Sequence, residues 1–168
     1  MHIRPEAEAD IPGIRRVNVE AFANHPFSRQ TEHLIVEELR RAGALSVSLV
    51  AVDEDGGVVG HIAFSPMKID GRECSLMMVG PLAVLPHLQR QGTGSALVRA
   101  GLEAIRAMGA EGCALVGDPA FYTRLGFVNT EALRMEGVPQ QYILAMFWSG
   151  QEMCGSIGHH PAFNVQPE

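Results

Sequence analysis

The segment Gln89-Arg90-Gln91-Gly92-Thr93-Gly94-Ser95 gathers, in one short stretch, groups able to hold an anion. It follows the apolar run Leu82-Ala83-Val84-Leu85 and opens a stretch in which Leu97, Val98, Gly101, Leu102 and Ile105 recur at helical spacing. The turn therefore falls at a helix N-terminus, where unpaired amides and the helix dipole present partial positive charge. Gly92 and Gly94 remove side chains, so that phosphates can approach the backbone. Arg90 adds a fixed charge, and Thr93 and Ser95 add hydroxyl donors. This is the chemistry of a diphosphate site. The alternative is a tight strand-to-helix turn with no ligand, but a capping turn rarely needs so many donors. The pattern is neither GxxxxGK[ST] nor GxGxxG, which excludes a P-loop and the dinucleotide fingerprint.

Periodicity gives the elements that must position this turn. Ile3 opens a short strand, and Asp10 reads as the N-cap of a helix over residues 11–23 with Pro12 in its first turn. After a loop containing Pro26, Thr31 caps a second helix, in which Leu34, Ile35, Glu38 and Leu39 recur, and Gly43 stops it. The period then changes to two. Strands over 46–53 and 58–69 flank the turn Asp55-Gly56-Gly57, and Asp70-Gly71 leads into a third strand ending at Val84. Pro81 lies inside that strand and cannot donate to a ladder, so it marks a bulge, an edge or a separation of strands. A helix from about Gly92 to Gly109, a strand over 113–116, a short helix over 119–125 and a strand over 142–147 follow. The order predicts an α/β fold with a mixed central sheet and helices on both faces. Residues 150–168 still carry Met153, Ile157, Phe163 and Val165. Apolar groups are costly to leave in water, so this tail is expected to pack on the domain or on a dimer partner, with Ser156 to His160 extended and ended by Pro161.

Composition narrows the function classes. The chain has 168 residues, which suits one domain, and 46% of them are apolar, too many for disorder. A net charge of −6 without a Lys/Arg cluster argues against nucleic acid or an anionic membrane as a partner. No signal peptide is legible and no run approaches the roughly 20 apolar residues of a membrane span, so a cytoplasmic protein is expected. Cys74, Cys113 and Cys154 form no CxxC pair, and His159-His160 has no ligand partner at metal spacing; no metal is expected.

At three places the sequence resembles the GNAT superfamily of N-acetyltransferases. Gln89-x-x-Gly92-x-Gly94 resembles its acetyl-CoA signature, Ile3-Arg4-Pro5 with Asp10 its opening strand and helix, and Tyr122-x-x-x-Gly126-Phe127 its Y-x-x-x-G-F element. Gly80-Pro81-Leu82-Ala83-Val84, Gly117-Asp118-Pro119 and His160-Pro161-Ala162-Phe163 are most similar to a bacterial branch of predicted acetyltransferases. The resemblance implies a GNAT (acyl-CoA N-acyltransferase) fold, with a domain over 1–148 and a C-terminal tail over 149–168. It implies acetyl-CoA as co-substrate, its pantetheine paired with the backbone of Leu82, Ala83 and Val84 like an added strand. The diphosphate would lie at Gln89, Arg90, Gln91, Gly92, Thr93, Gly94 and Ser95. Tyr122 would be the catalytic acid, since a phenol's reference pKa near 10 is close to that of a thiol leaving group. The acceptor would be a primary amine on a small molecule or peptide; a non-catalytic acyl-CoA-binding module of the same fold is the alternative. Asp118 reads as a helix cap rather than a pantetheine contact. For the general base, Glu20, His61, Glu73, His87, Asp118 and a carboxylate acting through water remain open.

Overall fold

The computed structural model describes residues 1–168. Strand β1 (His2–Pro5) is followed by helices α1 (Ile11–Phe22) and α2 (Glu32–Arg41), then by the meander β2 (Val47–Val52), β3 (Val58–Ile69) and β4 (Arg72–Val84). Helix α3 (Thr93–Ala107) leads to β5 (Gly112–Val116), the short helix α4 (Pro119–Tyr122), the two-residue strands β6 (Val128–Asn129) and β7 (Leu133–Arg134), β8 (Ile143–Phe147) and β9 (Gly155–His159). The sheet runs β1-β2-β3-β4-β5-β8-β6, with β9 pairing to β3 and β7. Most neighbours are antiparallel, but β4 and β5 run parallel, making the sheet mixed.

The alternation of β3 sorts the helices onto the two faces. Gly60 lies against Thr93 and Leu97 of α3, and Phe64, fully buried, packs on Gly101 of the same helix. His61, between them, turns the other way and meets Asn18 of α1. Side chains one apart on a strand point to opposite faces, so α3 covers one face and α1 the other. A bulge between Ala51 and Val52 flips the register at the start of β3 and brings Val58 under Gly13 of α1.

The strand containing Pro81 separates from its neighbour. β4 pairs with β5 only through Leu76–Gly112, Met77–Cys113 and Met78–Ala114. Beyond Met78 it keeps β3 on one side and has no strand on the other. The β3 register shifts between Ile62–Leu82 and Phe64–Val79, so β4 carries an extra residue around Gly80 and Pro81. A proline that cannot donate is accommodated by such a bulge, and the bend turns the last residues of β4 away from β5.

Two expected caps are not formed. Asp10 precedes α1, but its carboxylate takes the Arg4 guanidinium at 2.6 and 3.0 Å and the Ala7 amide at 2.7 Å. A nearby guanidinium outcompetes helix amides for a carboxylate, and the same contact holds the Asp10 carboxyl below its ordinary pKa. Thr31 precedes α2 without a side-chain bond to it. Residues 123–125, expected to continue the short helix, are a 3-10 turn closed by Gly126.

The C-terminal segment adds β9 to the distal end of β3 through Met67–His159, Lys68–Gly158 and Ile69–Ile157. Ile157 is buried, and Ala162 packs with Ile35 and Leu39 of α2. No helix is long and apolar enough to cross a membrane.

Candidate active site

The turn between β4 and α3 is built to leave amides free. Leu88 and Gln89 donate back to Leu85 and Pro86, and Ala96 donates to the Gly92 carbonyl, but the amides of Arg90 through Ser95 find no acceptor in the protein. Gly92 holds φ at 91° directly before α3, a conformation that a side chain would strain. Gly94 has no such reason to be glycine. A β-carbon there would meet Phe121 Cζ at 3.5 Å and Val84 Cγ2 at 3.8 Å, ordinary contacts. The folded chain itself tolerates a side chain at 94, so what glycine preserves there is space outside it.

The turn's side chains divide into two sets. Gln89 Nε2 donates to the Val84 carbonyl at 3.0 Å and Gln91 Nε2 to the His87 carbonyl at 3.1 Å, so both amide groups brace the turn from within. Thr93 is buried with its methyl toward Gly60. Arg90 is exposed and forms no ion pair, and Ser95 is half-buried. The free cation and the free amides thus sit together at the positive end of the α3 dipole, which suits a diphosphate.

Leu82 and Val84 lie on the α3 face beside Gly94, and Ala83 turns to the opposite face. Together they form the β4 edge beyond the divergence from β5. An edge of this kind offers main-chain groups to an extended ligand. The two features are continuous, because Val84 leads into the turn and is tied to it by Gln89.

Tyr122 ends α4 on the far side of the gap. Asp118 caps that helix by accepting the Ala120 amide at 2.9 Å. The Tyr122 ring stands edge-on to Phe121 at 4.8 Å and to Phe127 at 5.5 Å, and it lies against the α-carbon of Gly117 at the end of β5. Phe127 is buried in the core, while half-buried Phe121 reaches to Gly94. One aromatic contact therefore links the Tyr122 ring to the amide turn. The Tyr122 hydroxyl has no partner in the protein. Burial raises its pKa, and the Asp118 carboxylate pushes in the same direction, so the phenol stays protonated through neutral pH.

Two of the base candidates lie on the site's own elements, His87 in the β4–α3 turn and Asp118 near Tyr122. His61 is fully buried, with Nδ1 at 3.3 Å from Asn18 Nδ2 and Nε2 at 2.8 Å from Ser48 Oγ. Burial, reinforced by Arg40, lowers its pKa to about 3, which leaves it a neutral structural group. Glu20 stands 3.8 Å from Arg16 on α1. Glu73 stands opposite Lys68 in the register of the distal β3–β4 hairpin. His87 is exposed in the β4–α3 turn, and Asp118 is spent on its cap. No three His, Cys, Asp or Glu side chains gather as a metal site.

Sequence reasoning passed over an aromatic series on the other face. Phe22, His25, Phe27 and Tyr142 follow one another at ring separations of 5.7, 6.2 and 6.4 Å. Phe27 and Tyr142 are far apart in sequence, and only the fold brings them together.

The free amide turn, the open strand edge and Tyr122 coincide with the segments in which the sequence resembles the GNAT superfamily. The GNAT acetyltransferase domain model matches residues 45–129. The chain is 37% identical over 127 residues to the Escherichia coli K12 N-acetyltransferase YhbS, covering 76% of this chain and 73% of that one. Among solved structures, a GNAT family acetyltransferase from Brucella melitensis in complex with acetyl-CoA superposes with a TM-score of 0.86 at 41% identity, over 96% of this chain and 97% of that one. The Escherichia coli YhbS complex with CoA superposes with a TM-score of 0.89 at 30% identity, over 98% and 92%. The chain belongs to the GNAT family of acetyltransferases.

Proposed function

We propose that this protein transfers acetyl from acetyl-CoA to a primary amine by direct attack, with Tyr122 as the acid. One observation carries the reading. The unpaired amides of Arg90 to Ser95 continue the β4 edge that has no partner strand beyond Met78, and half-buried Phe121, beside Tyr122, reaches Gly94 in that turn; this arrangement supports the reading. The relatives solved with acetyl-CoA and CoA support the same co-substrate here.

In this reading Arg90 and the free amides of the turn hold the diphosphate, and Leu82, Ala83 and Val84 offer main-chain partners to pantetheine. The neutral amine attacks the thioester carbonyl, a C–N bond forms, and the C–S bond breaks. The departing thiolate takes the Tyr122 proton, the protonated nitrogen of the tetrahedral intermediate gives its proton to water to leave a neutral amide, and Tyr122 recovers a proton from solvent. A carbonyl becoming negative during attack is stabilised by any main-chain amide on the free edge of β4. The cysteines support direct transfer over an acyl-cysteine route. Cys113 is buried in β5 with its thiol pushed up to about 12, Cys74 donates to the Met67 carbonyl, and Cys154 lies in the tail.

Free-thiol release with a panel of amines, read with mass analysis of the acetylated product, tests the reaction. Tyr122→Phe should lower the single-turnover rate by about 10²- to 10⁴-fold while CoA affinity holds. A variant that keeps the parent rate would move the acid elsewhere. A protein that binds CoA and releases no thiol with any amine would be a binding module.

A further inference from the structure

No hydrogen bond fixes the phenol of Tyr122. Its hydroxyl has no partner in the protein, and a helix of four residues is too short to be rigid by itself. The ring's position is therefore set by what packs on it: the Gly117 backbone, Phe127 at 5.5 Å and Phe121 at 4.8 Å, both rings edge-on. Resting on the transfer reading above, we infer that Phe121 is a positioning residue. It takes its own place from the start of α3 and holds the Tyr122 phenol in line with the departing thiolate.

The three contacts differ in what stands behind them. The Gly117 amide is tied to the Tyr142 carbonyl at 3.0 Å, and Phe127 is 2% exposed, so both belong to the sealed body of the protein. Phe121 is half-buried, and its outer end points elsewhere. A β-carbon on Gly94 would stand 3.5 Å from Phe121 Cζ, with Val84 Cγ2 at 3.8 Å and Leu82 Cδ2 at 3.9 Å from the same point. One ring thus spans from Tyr122 to the place where the α3 N-terminus meets the last residues of β4.

A flat, rigid ring suits this role. Edge-to-face pairs have a preferred geometry, so a ring supported at one end orients the ring at the other. A leucine at 121 would fill part of the volume, offer Tyr122 no ring and stop short of Gly94. The freed phenol could then move by about 1 Å, enough to cost on the order of 10²-fold in rate at a reacting group. The amide turn does not need Phe121, because Gln89 and Gln91 brace it from within. Phe121 therefore acts through Tyr122 and not through CoA affinity.

A double-mutant cycle on single-turnover thiol release from acetyl-CoA tests this, using whichever of 2-phenylethylamine, butylamine and spermidine reacts fastest. Phe121→Leu alone should slow the step by at least about tenfold, with CoA affinity by calorimetry within about threefold of the parent. In the Tyr122→Phe background the same substitution should change the rate by less than about twofold, because the group it positions is gone. Phe121→Met, similar in length but without a ring, is run through the same cycle and should show the same pattern with a smaller loss. An equal loss in both backgrounds, or none in either, overturns the positioning role and leaves Tyr122 as the acid. A Tyr122→Phe rate equal to the parent's, or no thiol release with any of the three amines, overturns the transfer reading and this inference with it.

Discussion

Gly117 makes room for Tyr122: a β-carbon at 117 would stand 2.7 Å from Tyr122 Cε2 and 3.0 Å from Leu115 Cδ1. The end of β5 and the ring of the candidate acid are thus fitted to each other, and no residue other than glycine keeps that fit.

Gly117→Ala should therefore displace the ring while leaving the amide turn alone. A shift of about 1 Å at a reacting group can cost on the order of 10²-fold in rate. The single-turnover rate should fall by at least about tenfold, with CoA affinity by calorimetry within about threefold of the parent. A variant with parental rate would separate the position of Tyr122 from catalysis.

Gly94→Ala tests the other end of the gap. The added methyl meets only ordinary contacts within the protein, so circular dichroism and melting should match the parent. CoA affinity should drop by at least about tenfold, near 1.4 kcal/mol, because the methyl projects where a diphosphate would approach the α3 amides. An unchanged dissociation constant would remove the turn from the cofactor site.

His61 predicts acid sensitivity. Its folded pKa is depressed to about 3 from 6.5, so the unfolded chain binds a proton that the folded chain refuses. The stability this histidine permits is complete above about pH 6.5 and is lost as pH falls through that value toward 3. Asp10, also depressed, adds to the loss at the acid end, where its pairing with Arg4 fails. The melting temperature should decline from pH 6.5 downward, and His61→Gln, which cannot charge, should flatten the decline between pH 6 and 4. An equal slope in the variant would assign the effect to other groups.

Ile157 measures what the C-terminal segment contributes. It is buried against the distal end of the sheet and pairs with Ile69. Truncating a buried Ile to Ala costs about 2–5 kcal/mol, which for a chain of this size lowers the melting temperature by roughly 4–20 °C. A melting point within a degree of the parent would mean that β9 is dispensable.

What the sequence disclosed was local. The β4–α3 turn, the β3–β4 hairpin and the separation near Pro81 each follow from residues within one short window, and each lies where the pattern puts it. Side-chain competition was less legible: Asp10 and Thr31 carry cap-forming groups, but Arg4 claims the Asp10 carboxylate. β6 and β7 have two residues each and leave no period to read. The pairing of β9 with β3 and the meeting of Phe27 with Tyr142 depend on the folded course of the chain, and neither partner's neighbours announce them. His61 stood among the base candidates, although a lone histidine in a strand is more often structural, and its sealed place between Asn18 and Ser48 is set by the fold.

The divergence of β4 from β5 also bears on how the protein avoids its own kind. An unpaired strand edge invites another strand, and most sheets blunt their outer edges with charge, proline or a bulge. Here the edge is inside the molecule, bordered by β5 on one side and carrying Pro81 and a bulge of its own. A polypeptide strand with its side chains would have to enter a gap that narrows to direct β4–β5 pairing at Met78 and Ala114. An incoming strand would meet the converging β4 and β5 after a few residues, so this unpaired edge is a poorer template for strand addition than an outer edge of the same length.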